Sequence, residues 1–496
     1  MLFNSFDFIV FFPIVLFIYF IIPRKIRYIW LLVTSYYFYM CWNARYALLL
    51  FTSTVVTYAV ALMMRHWKEN VLLKKSMVVT SLVINLGILL FFKYFNFVFD
   101  SIEKILSKTG MSFQAPVLDI LLPVGISFYI FQAVGYTIDV YRGKIEPEKN
   151  LLRYALFVAF FPQLVAGPIE RSGNLLPQLQ KVHELKLWNP KRIQQGALIM
   201  LYGYILKMVI ADRAAIYVDT IFDSMLYSNY QGFQMAIAVV LFSLQIYCDF
   251  GGYSYIAMGA AKIMGFELMD NFKMPYLARN IKDFWDRWHV SLTTWFRDYL
   301  YVPLGGGRKG VARKYINIFI VFVVSGLWHG AAWHYVVWGM LHGCLRITGE
   351  ITSKLRERLY ARLHFRRDTF AVMLSQTIVT FAMVSLAWVF FRGESVRQSL
   401  DLIRQMIGVY NPWILTDGSL FTLGLDAKEW NVLLIGIAFL LIVDIFRYKK
   451  VDLVSFFMEQ NLWFRWILFY VGIIIVVLFG VYGARYNAAG FIYFQF

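Results

Sequence analysis

The sequence predicts an all-α polytopic membrane protein. Hydrophobic residues make up 60% of the 496-residue chain and charged residues only 16%, whereas soluble domains usually carry about 25% charged residues. Apolar runs long enough to cross ~30 Å of hydrocarbon recur from one end of the sequence to the other. No polar stretch is long enough to fold alone, so we expect one membrane domain over residues 1–496.

Twelve apolar stretches are candidate membrane spans. They cover residues 6–22, 28–42, 46–64, 76–98, 117–138, 154–169, 195–219, 232–262, 315–345, 370–391, 431–446 and 465–482. Residues 232–262 exceed the length that one span needs, and 154–169 are short. We therefore expect roughly 11 transmembrane helices together with re-entrant and interfacial pieces. Residues 7–22 are interpreted as a retained first span, because the basic sequence IPRKIR follows them instead of a small-residue cleavage site.

The net charge of +18 is concentrated between the apolar runs. Cytoplasmic loops of membrane proteins carry an excess of Lys and Arg, so the basic loops are predicted to be cytoplasmic. These loops are residues 23–27, 65–75, 141–153, 308–314, 354–367 and 447–450. The more mixed residues 392–430 are predicted to lie outside. The charge favours contact with anionic membrane lipids, and the absence of a basic soluble domain argues against nucleic-acid binding.

A polar and aromatic passage, FWDRWHVSLTTWFRDYLYVPLGGG, interrupts this apolar chain at residues 284–307. Projected as one helix over 281–300, it places Trp285 and other large apolar residues on one broad face. A polar seam follows another face through Lys282, Asp286, His289, Thr293 and Arg297. Such a helix fits the cytoplasmic interface or the wall of a watery cavity, and a solvated surface helix stays open. Asp286 is placed one turn before His289, where it is able to orient the ring.

A basic loop follows this passage. Pro303 and three glycines precede Arg308, Lys309 and Arg313. Positive charge near a helix start is suited to holding an anionic phosphate group, although the positive-inside rule alone explains the same residues. No nucleotide-binding glycine motif is present, so nucleotide hydrolysis is not indicated.

The segment VVSGLWHGAAWHYVVWGMLHG, residues 323–343, places His329 inside an apolar run. An ionisable side chain at membrane depth is costly and usually has a function or a partner. Burial favours the neutral imidazole, which is the form that a general base needs. Ser325 lies one turn earlier on the same face, and two pairs of glycines spaced by four allow a helix or a ligand to approach closely. A structural histidine bonded to a neighbouring helix is the alternative.

Two further polar islands lie within apolar sequence. Gln163 belongs to FFPQLVAGPIER, residues 160–171, whose prolines and glycine break a helix where irregular backbone must line a cavity or be packed by protein. Asp249 shares one helical stripe with Gln245 and Tyr253, and is either functional or a paired packing device. The spacing of the three cysteines is not that of a metal site. The three cysteines are far apart, which excludes a disulfide framework.

Taken in order, these motifs resemble those of the membrane-bound O-acyltransferase (MBOAT) family, and most of all its bacterial polysaccharide branch. The resemblance covers nearly the whole chain. It rests on MLFNSFDFIVFF, FFPQLVAGPIER, YCDFGGYS, NFKMPYLARNIKDFWDRWHVSLTTWFRDYLYVPLGGGR, SGLWHGAAWHYVVWGMLHG and FIYFQF. The branch often has DFSGYSD where this chain has DFGGYSY, so Gly251 and Tyr255 depart from its pattern.

The resemblance implies a ring of helices around a central tunnel that connects the cytoplasm with the outside. It also implies that His329 is the catalytic histidine and that His289 is a second catalytic position. Residues predicted to line the tunnel or to bind substrate are Asp286, Asp249, Ser325, Trp328, Trp285, Gln163 and Arg297. Arg308, Lys309 and Arg313 are predicted to hold the phosphates of coenzyme A.

The implied activity is O-acetylation of an extracytoplasmic polysaccharide, such as an alginate-type exopolysaccharide or another cell-surface glycan. Acetyl-CoA is the expected donor, with no permanently bound cofactor and no metal. The resemblance further implies a bacterial cytoplasmic (inner) membrane location and an extracytoplasmic partner of the SGNH-hydrolase type, which passes the acetyl group to the polymer.

Two other functions stay open from the sequence. One is transfer of D-alanine to teichoic acid from a carrier-protein thioester. The other, from a different class, is a polysaccharide transporter or flippase. The sequence shows no internal repeat, which argues against the transporter.

Overall fold

The computed structural model of the protein describes residues 1–118, 122–165, 167–223, 225, 227–364, 366 and 368–483. Every regular element within these ranges is helical, as the apolar runs predict. Eight of the described helices are long and apolar enough to cross a membrane, and the apolar helix Phe6–Ile21 is shorter. The chain is therefore a multi-pass membrane protein. The count of roughly 11 spans, the ring and the tunnel stay predictions, and the motif FIYFQF at 491–496 lies outside the described residues.

The chain divides into two compact units. The first unit comprises Met1–Ala197 and Ala257–Met269, and the second comprises Leu198–Ile256 and Asp270–Phe496. The helices Pro190–Tyr204 and Phe233–Met264 belong partly to each unit. The single domain expected over residues 1–496 stays a prediction.

The other helices of the first unit contain most of the predicted early spans. They are Phe6–Ile21, Arg27–Met40, Ala47–His66, Val71–Leu89, Phe95–Lys108, Ile126–Tyr141, Leu151–Ala159, Phe161–Leu164 and Ser172–Gln180. A π-helical turn at Leu90–Tyr94 joins two of them into one long helix. The prediction of a span over 117–138 is wrong at its start. The helix begins only at Ile126, because Gly125 adopts φ 75°, a left-handed conformation that glycine tolerates.

The helix break predicted around residues 160–171 is confirmed. The helix Leu151–Ala159 ends at Phe160, whose backbone leaves the helical region at ψ 111°. One short turn, Phe161–Leu164, follows. The candidate span 154–169 is therefore not one continuous helix.

The second unit contains the remaining helices. They are Asp212–Phe222, Ile281–Arg287, Val290–Phe296, Val311–His329, Trp333–Ile351, Ser353–Arg362, Phe370–Arg392, Val396–Gly408, Ala427–Tyr448, Leu453–Glu459 and Leu462–Phe479. Two π-helical segments, Ile205–Ala211 and Arg297–Tyr301, extend their neighbours.

The predicted single span 315–345 is instead a helical hairpin. Val311–His329 ends where Gly330 becomes extended at φ −169°, and the chain becomes helical again at Trp333. The two arms approach closely at Gly326 and Gly339, where a Cβ atom added to Gly326 would lie 3.4 Å from the Cα of Gly339. The close packing predicted from the paired glycines is therefore confirmed. His329 occupies the end of its helix rather than the middle of a span.

Candidate functional site

His329 is the last residue of the helix Val311–His329 and is only 3% exposed. Three aromatic rings meet its imidazole edge to face. The ring centroids of Trp328, Trp338 and Phe391 lie 4.9, 5.0 and 5.2 Å from that of His329. Aromatic walls of this kind keep water away from much of the ring and fix its orientation.

The structure brings His289 to the same cluster. Its ring centroid lies 5.9 Å from that of Trp328, which also contacts His329. On another side, Phe250 packs edge to face on His289 at 4.7 Å. The two histidines predicted to be catalytic therefore share Trp328 as a neighbour. Burial lowers the pKa of His289 to about 3, so its ring is neutral at physiological pH.

The predicted continuous helix over 281–300 is wrong, because it breaks at His289. This residue has φ 42°, a left-handed conformation, between the helices Ile281–Arg287 and Val290–Phe296. The cause is a tertiary contact with Asn271. The Asn271 carbonyl accepts from the backbone N–H of Val290 at 3.0 Å, and its side-chain oxygen accepts from the Ser291 hydroxyl at 2.7 Å. These bonds replace the helical ones and turn the His289 ring inward.

Asn271 itself was missed by sequence reasoning. It is fully buried, and its amide also donates to the Ser254 hydroxyl at 3.3 Å. A single asparagine in an irregular stretch has no periodicity to reveal it. The only available signal was its place at the beginning of the long motif that contains His289.

The break also separates residues that the predicted polar seam had joined. Asp286 is exposed, whereas His289 is 1% exposed, so the two side chains face different surroundings. The structure therefore gives no support to Asp286 as the residue that orients His289. Arg297 is exposed too, and its Nε lies 2.9 Å from an oxygen of Asp298.

The basic loop residues Arg308, Lys309 and Arg313 are exposed. Their side chains are thus available to solvent or to a ligand. Their predicted contact with coenzyme A stays a prediction.

Trp285 and Ser325 are both buried in the second unit. The Trp285 ring packs against Phe322 at 5.1 Å and against Trp338 at 5.9 Å. Since Trp338 also contacts His329, Trp285 forms an outer layer around the catalytic candidate. Ser325 lies one helical turn before His329, as the sequence predicts.

Asp249 is paired rather than isolated. The Nζ atom of Lys207 lies 2.5 Å from Asp249 Oδ1 and 2.7 Å from Asp212 Oδ1, and all three side chains are largely buried. Gly203 and Gly252 allow the helices Pro190–Tyr204 and Phe233–Met264 to approach closely. A Cβ atom on Gly203 would lie only 2.6 Å from the Gly252 carbonyl oxygen. The structure thus shows that Asp249 is paired, and its predicted place in a tunnel stays a prediction.

Lys207 was also missed, although a signal existed. It lies in the apolar run 195–219, where the rule that drew attention to Asp249 applies equally. The residue belongs to the π-helical segment Ile205–Ala211, and such segments are frequent at functional sites. Phe250, next to Asp249 in sequence, connects this ion-pair cluster to His289.

Tyr255 replaces the acidic residue of the family pattern and lies in a polar network. Its hydroxyl accepts a hydrogen bond from Arg447, which also forms an ion pair with Asp270 at 3.2 Å. The hydroxyl is 3.4 Å from the Phe272 carbonyl oxygen. Tyr255 therefore has a structural partner in this chain despite the departure from the pattern.

Gln163 lies in the first unit and has a packing role. Its amide nitrogen donates to the Phe157 carbonyl at 2.8 Å and to the Gln132 side-chain oxygen at 3.1 Å. The Gln132 amide donates to the same Phe157 carbonyl at 2.7 Å. Both glutamines thus satisfy a carbonyl near the end of the helix Leu151–Ala159. The predicted place of Gln163 in a tunnel stays a prediction.

These features define a class of protein: a helical, multi-pass membrane protein in which two buried histidines contact one indole. The model of the membrane-bound O-acyltransferase (MBOAT) family matches residues 18–393. The chain therefore belongs to the MBOAT family and is an O-acyltransferase. In the described ranges, no group of three His, Cys, Asp or Glu side chains is placed to hold a metal ion.

The chain is similar to bacterial proteins that are named for different acyl-transfer activities. The chain is 33% identical to the probable alginate O-acetylase AlgI of Pseudomonas putida over 510 residues, 100% of both chains. It is 33% identical to the peptidoglycan O-acetyltransferase of Helicobacter pylori over 405 residues, 77% of this chain and 74% of the relative. Identity to the teichoic acid D-alanyltransferase of Bacillus subtilis is 27% over 282 residues, 55% of this chain and 69% of the relative.

Proposed function

We propose that the protein moves an acetyl group from cytoplasmic acetyl-CoA towards O-acetylation of an extracytoplasmic polysaccharide. The observation that carries this proposal is the pair of buried histidines that both contact Trp328. Full-length similarity to a probable alginate O-acetylase supports acetyl as the acyl group and a glycan as the final acceptor.

His329 acts as the general base in this proposal. Its neutral imidazole takes the proton of the acceptor hydroxyl while the hydroxyl oxygen attacks the thioester carbonyl. The carbon–sulfur bond then breaks, and the imidazolium returns the proton to the departing thiolate. General base catalysis of this kind typically contributes ~10²–10⁴-fold in rate.

His289 stabilises the oxyanion that forms between these two steps. A neutral imidazole has one N–H donor, and a fixed donor aimed at developing negative charge accelerates acyl transfer. The left-handed backbone at His289 and the hydrogen bonds of Asn271 hold the ring in place. A donor that is positioned before the reaction needs no reorganisation during it.

The cellular setting follows from the same chemistry. The acyl donor is made in the cytoplasm and the glycan lies outside, so the protein belongs in the bacterial inner membrane. An SGNH-hydrolase-like partner on the outer face receives the acetyl group and passes it to the polymer. Arg308, Lys309 and Arg313 lie on the predicted cytoplasmic side and are exposed to solvent.

The test uses the purified full-length protein in lipid nanodiscs with radiolabelled acetyl-CoA and a soluble acceptor alcohol or glycan. His329→Ala is expected to lower the rate of ester formation by ~10²–10⁴-fold. His334→Ala is the matched control. It removes a buried histidine that bonds to the Phe390 carbonyl at 2.9 Å, and it should keep most of the activity.

Equal rates for His329→Ala and the wild type, at equal protein level, would overturn the general-base role. If only a D-alanyl thioester on a carrier protein serves as donor, the acetyl-CoA assignment is wrong and the teichoic acid activity takes its place.

A further inference from the structure

A cavity of about 860 Å³ lies wholly within the first unit. It is lined by the end of the helix Ala47–His66, by residues 146–150 and the first turn of Leu151–Ala159, and by Gln180. Its volume is in the range of ligand-binding pockets. Two loops that the sequence predicts to be cytoplasmic, 65–75 and 141–153, meet at this cavity.

One buried carboxylate organises the wall of the cavity. Glu148 is 4% exposed, and its Oε1 accepts from Arg153 Nη1 at 3.2 Å and from the backbone N–H of Asn150 at 2.9 Å. Its other oxygen accepts from the Gln180 amide at 2.8 Å. Glu148 therefore neutralises Arg153 and fixes three parts of the lining.

The other charges of the lining are not balanced. Arg65, Lys68 and Lys149 form no ion pair within the described part of the chain, and Glu146 is the one remaining carboxylate of this lining. Three cations against one anion leave a net charge of +2. The Lys149 carbonyl accepts from the Tyr58 hydroxyl at 2.5 Å, which fixes the backbone that carries this lysine.

The helix Leu151–Ala159 adds to the positive potential. It begins at Asn150, whose side chain accepts from the Arg153 backbone N–H at 3.1 Å. The cavity is thus lined by the N-terminal turn of this helix. Helix N-termini carry partial positive charge and bind anions, phosphates in particular.

We propose that this cavity binds the phosphate groups of a ligand that enters from the cytoplasm. Two molecules present that chemistry: the nucleotide end of coenzyme A and the headgroup of an anionic phospholipid. Binding of coenzyme A rests on the proposed function. In that case Arg65, Lys68 and Lys149 bind the phosphates of the donor, a role that the sequence predicted for the loop at 308–313. The positive-inside rule explains cationic loops, but it does not require them to line a cavity whose wall is cross-linked by a buried carboxylate.

The experiment measures binding of adenosine 3′,5′-bisphosphate, the nucleotide end of coenzyme A, to the full-length protein in nanodiscs of phosphatidylcholine. The triple variant Arg65→Gln, Lys68→Gln, Lys149→Gln should weaken binding by at least ~10-fold, the loss expected when charge-assisted hydrogen bonds disappear. The control variant Lys354→Gln, Arg358→Gln, Arg362→Gln removes three exposed cations from the helix Ser353–Arg362 and should leave binding within about twofold.

A second arm identifies a lipid ligand. The same proteins are placed in nanodiscs that contain phosphatidylglycerol, and the phosphatidylglycerol that remains bound after transfer into detergent is measured. A specific loss in the cavity variant, without a change in bisphosphate binding, supports the cavity with a lipid headgroup as its ligand. If the cavity and control variants behave alike in both arms, the proposal is wrong.

A third variant separates this proposal from its rival and from the proposed function. If Arg308→Gln, Lys309→Gln, Arg313→Gln weakens bisphosphate binding and the cavity variant changes neither arm, the phosphates bind at that loop and the cavity proposal falls. His329→Ala should lose transfer while it keeps bisphosphate binding. Failure of the cavity proposal therefore leaves the general-base assignment standing.

Discussion

Replacing Lys207 with Met tests whether the buried ion-pair cluster stabilises the second unit. The lysine is 2% exposed, and its ammonium group lies between Asp249 at 2.5 Å and Asp212 at 2.7 Å. Lys207→Met leaves two carboxylates facing the same buried space without their shared cation. Removing one partner of a buried ion pair typically lowers the free energy of unfolding by ~3–5 kcal/mol.

Neutralising one of the two carboxylates should lower the free energy of unfolding much less than removing the lysine does. Asp212→Asn keeps the Lys207–Asp249 pair, and it removes one of two like charges that flank the lysine. We expect a loss of about 1 kcal/mol, the usual contribution of one hydrogen bond. The expected order of stability is therefore wild type, then Asp212→Asn, then Lys207→Met.

The assay is thermal unfolding of the full-length protein in detergent, followed by size-exclusion chromatography of the remaining folded fraction. Lys262→Met is the matched control, because Lys262 pairs at 2.7 Å with Glu267, whose side chain is 69% exposed. Pairs of this exposed type contribute ~0–1 kcal/mol. A melting temperature for Lys207→Met no lower than that for Lys262→Met would refute the reasoning.

Two further substitutions probe the architecture around the histidines. Gly326→Val should separate the arms of the hairpin, since even a Cβ atom there would collide with the Tyr335 carbonyl oxygen and approach Gly339. It should therefore reduce acyl transfer more than expression, because His329 is one turn away. Equal activity of purified Gly326→Val would contradict this. The second substitution is at His289, whose backbone is left-handed. His289→Val should lower the free energy of unfolding by ~1–2 kcal/mol more than His289→Asn, because asparagine tolerates this conformation and valine does not. Thermal unfolding measures the difference, and equal stability of the two variants would show that the backbone is not strained there.

The long spans and the close glycine contact were predictable because each depends on local sequence. Apolar runs such as 370–391 and 431–446 became helices with nearly the expected bounds, since in a membrane the helix satisfies its own backbone groups. The approach of the hairpin arms at Gly326 and Gly339 follows from side-chain size alone. The catalytic roles predicted for His329 and His289 came from their setting and from resemblance, and the structure shows that both rings contact Trp328.

The break at His289, unlike the one at residues 160–171, was not predictable from pattern, because a tertiary contact decides it. Residues 281–300 have a consistent helical periodicity. Nothing in that stretch indicates that the backbone N–H of Val290 will donate to the Asn271 carbonyl instead of to a carbonyl one helical turn earlier. The pairing of Asp249 with Lys207 likewise joins residues 42 positions apart in sequence. Periodicity reports which face of an element is apolar, but it does not report which distant group will interrupt that element.

Trp328 limits proton transfer between the two buried histidines. Its indole N–H donates a hydrogen bond but has no lone pair with which to accept one, so it does not relay a proton between the imidazoles of His289 and His329. In the proposed function the site takes its donor and its acceptor from opposite sides of the membrane, and a proton relay through it would act as a leak. Trp328, the ring that both imidazoles contact, offers no such relay, so in the proposed reaction the proton taken from the acceptor alcohol leaves with the thiol of the same turnover.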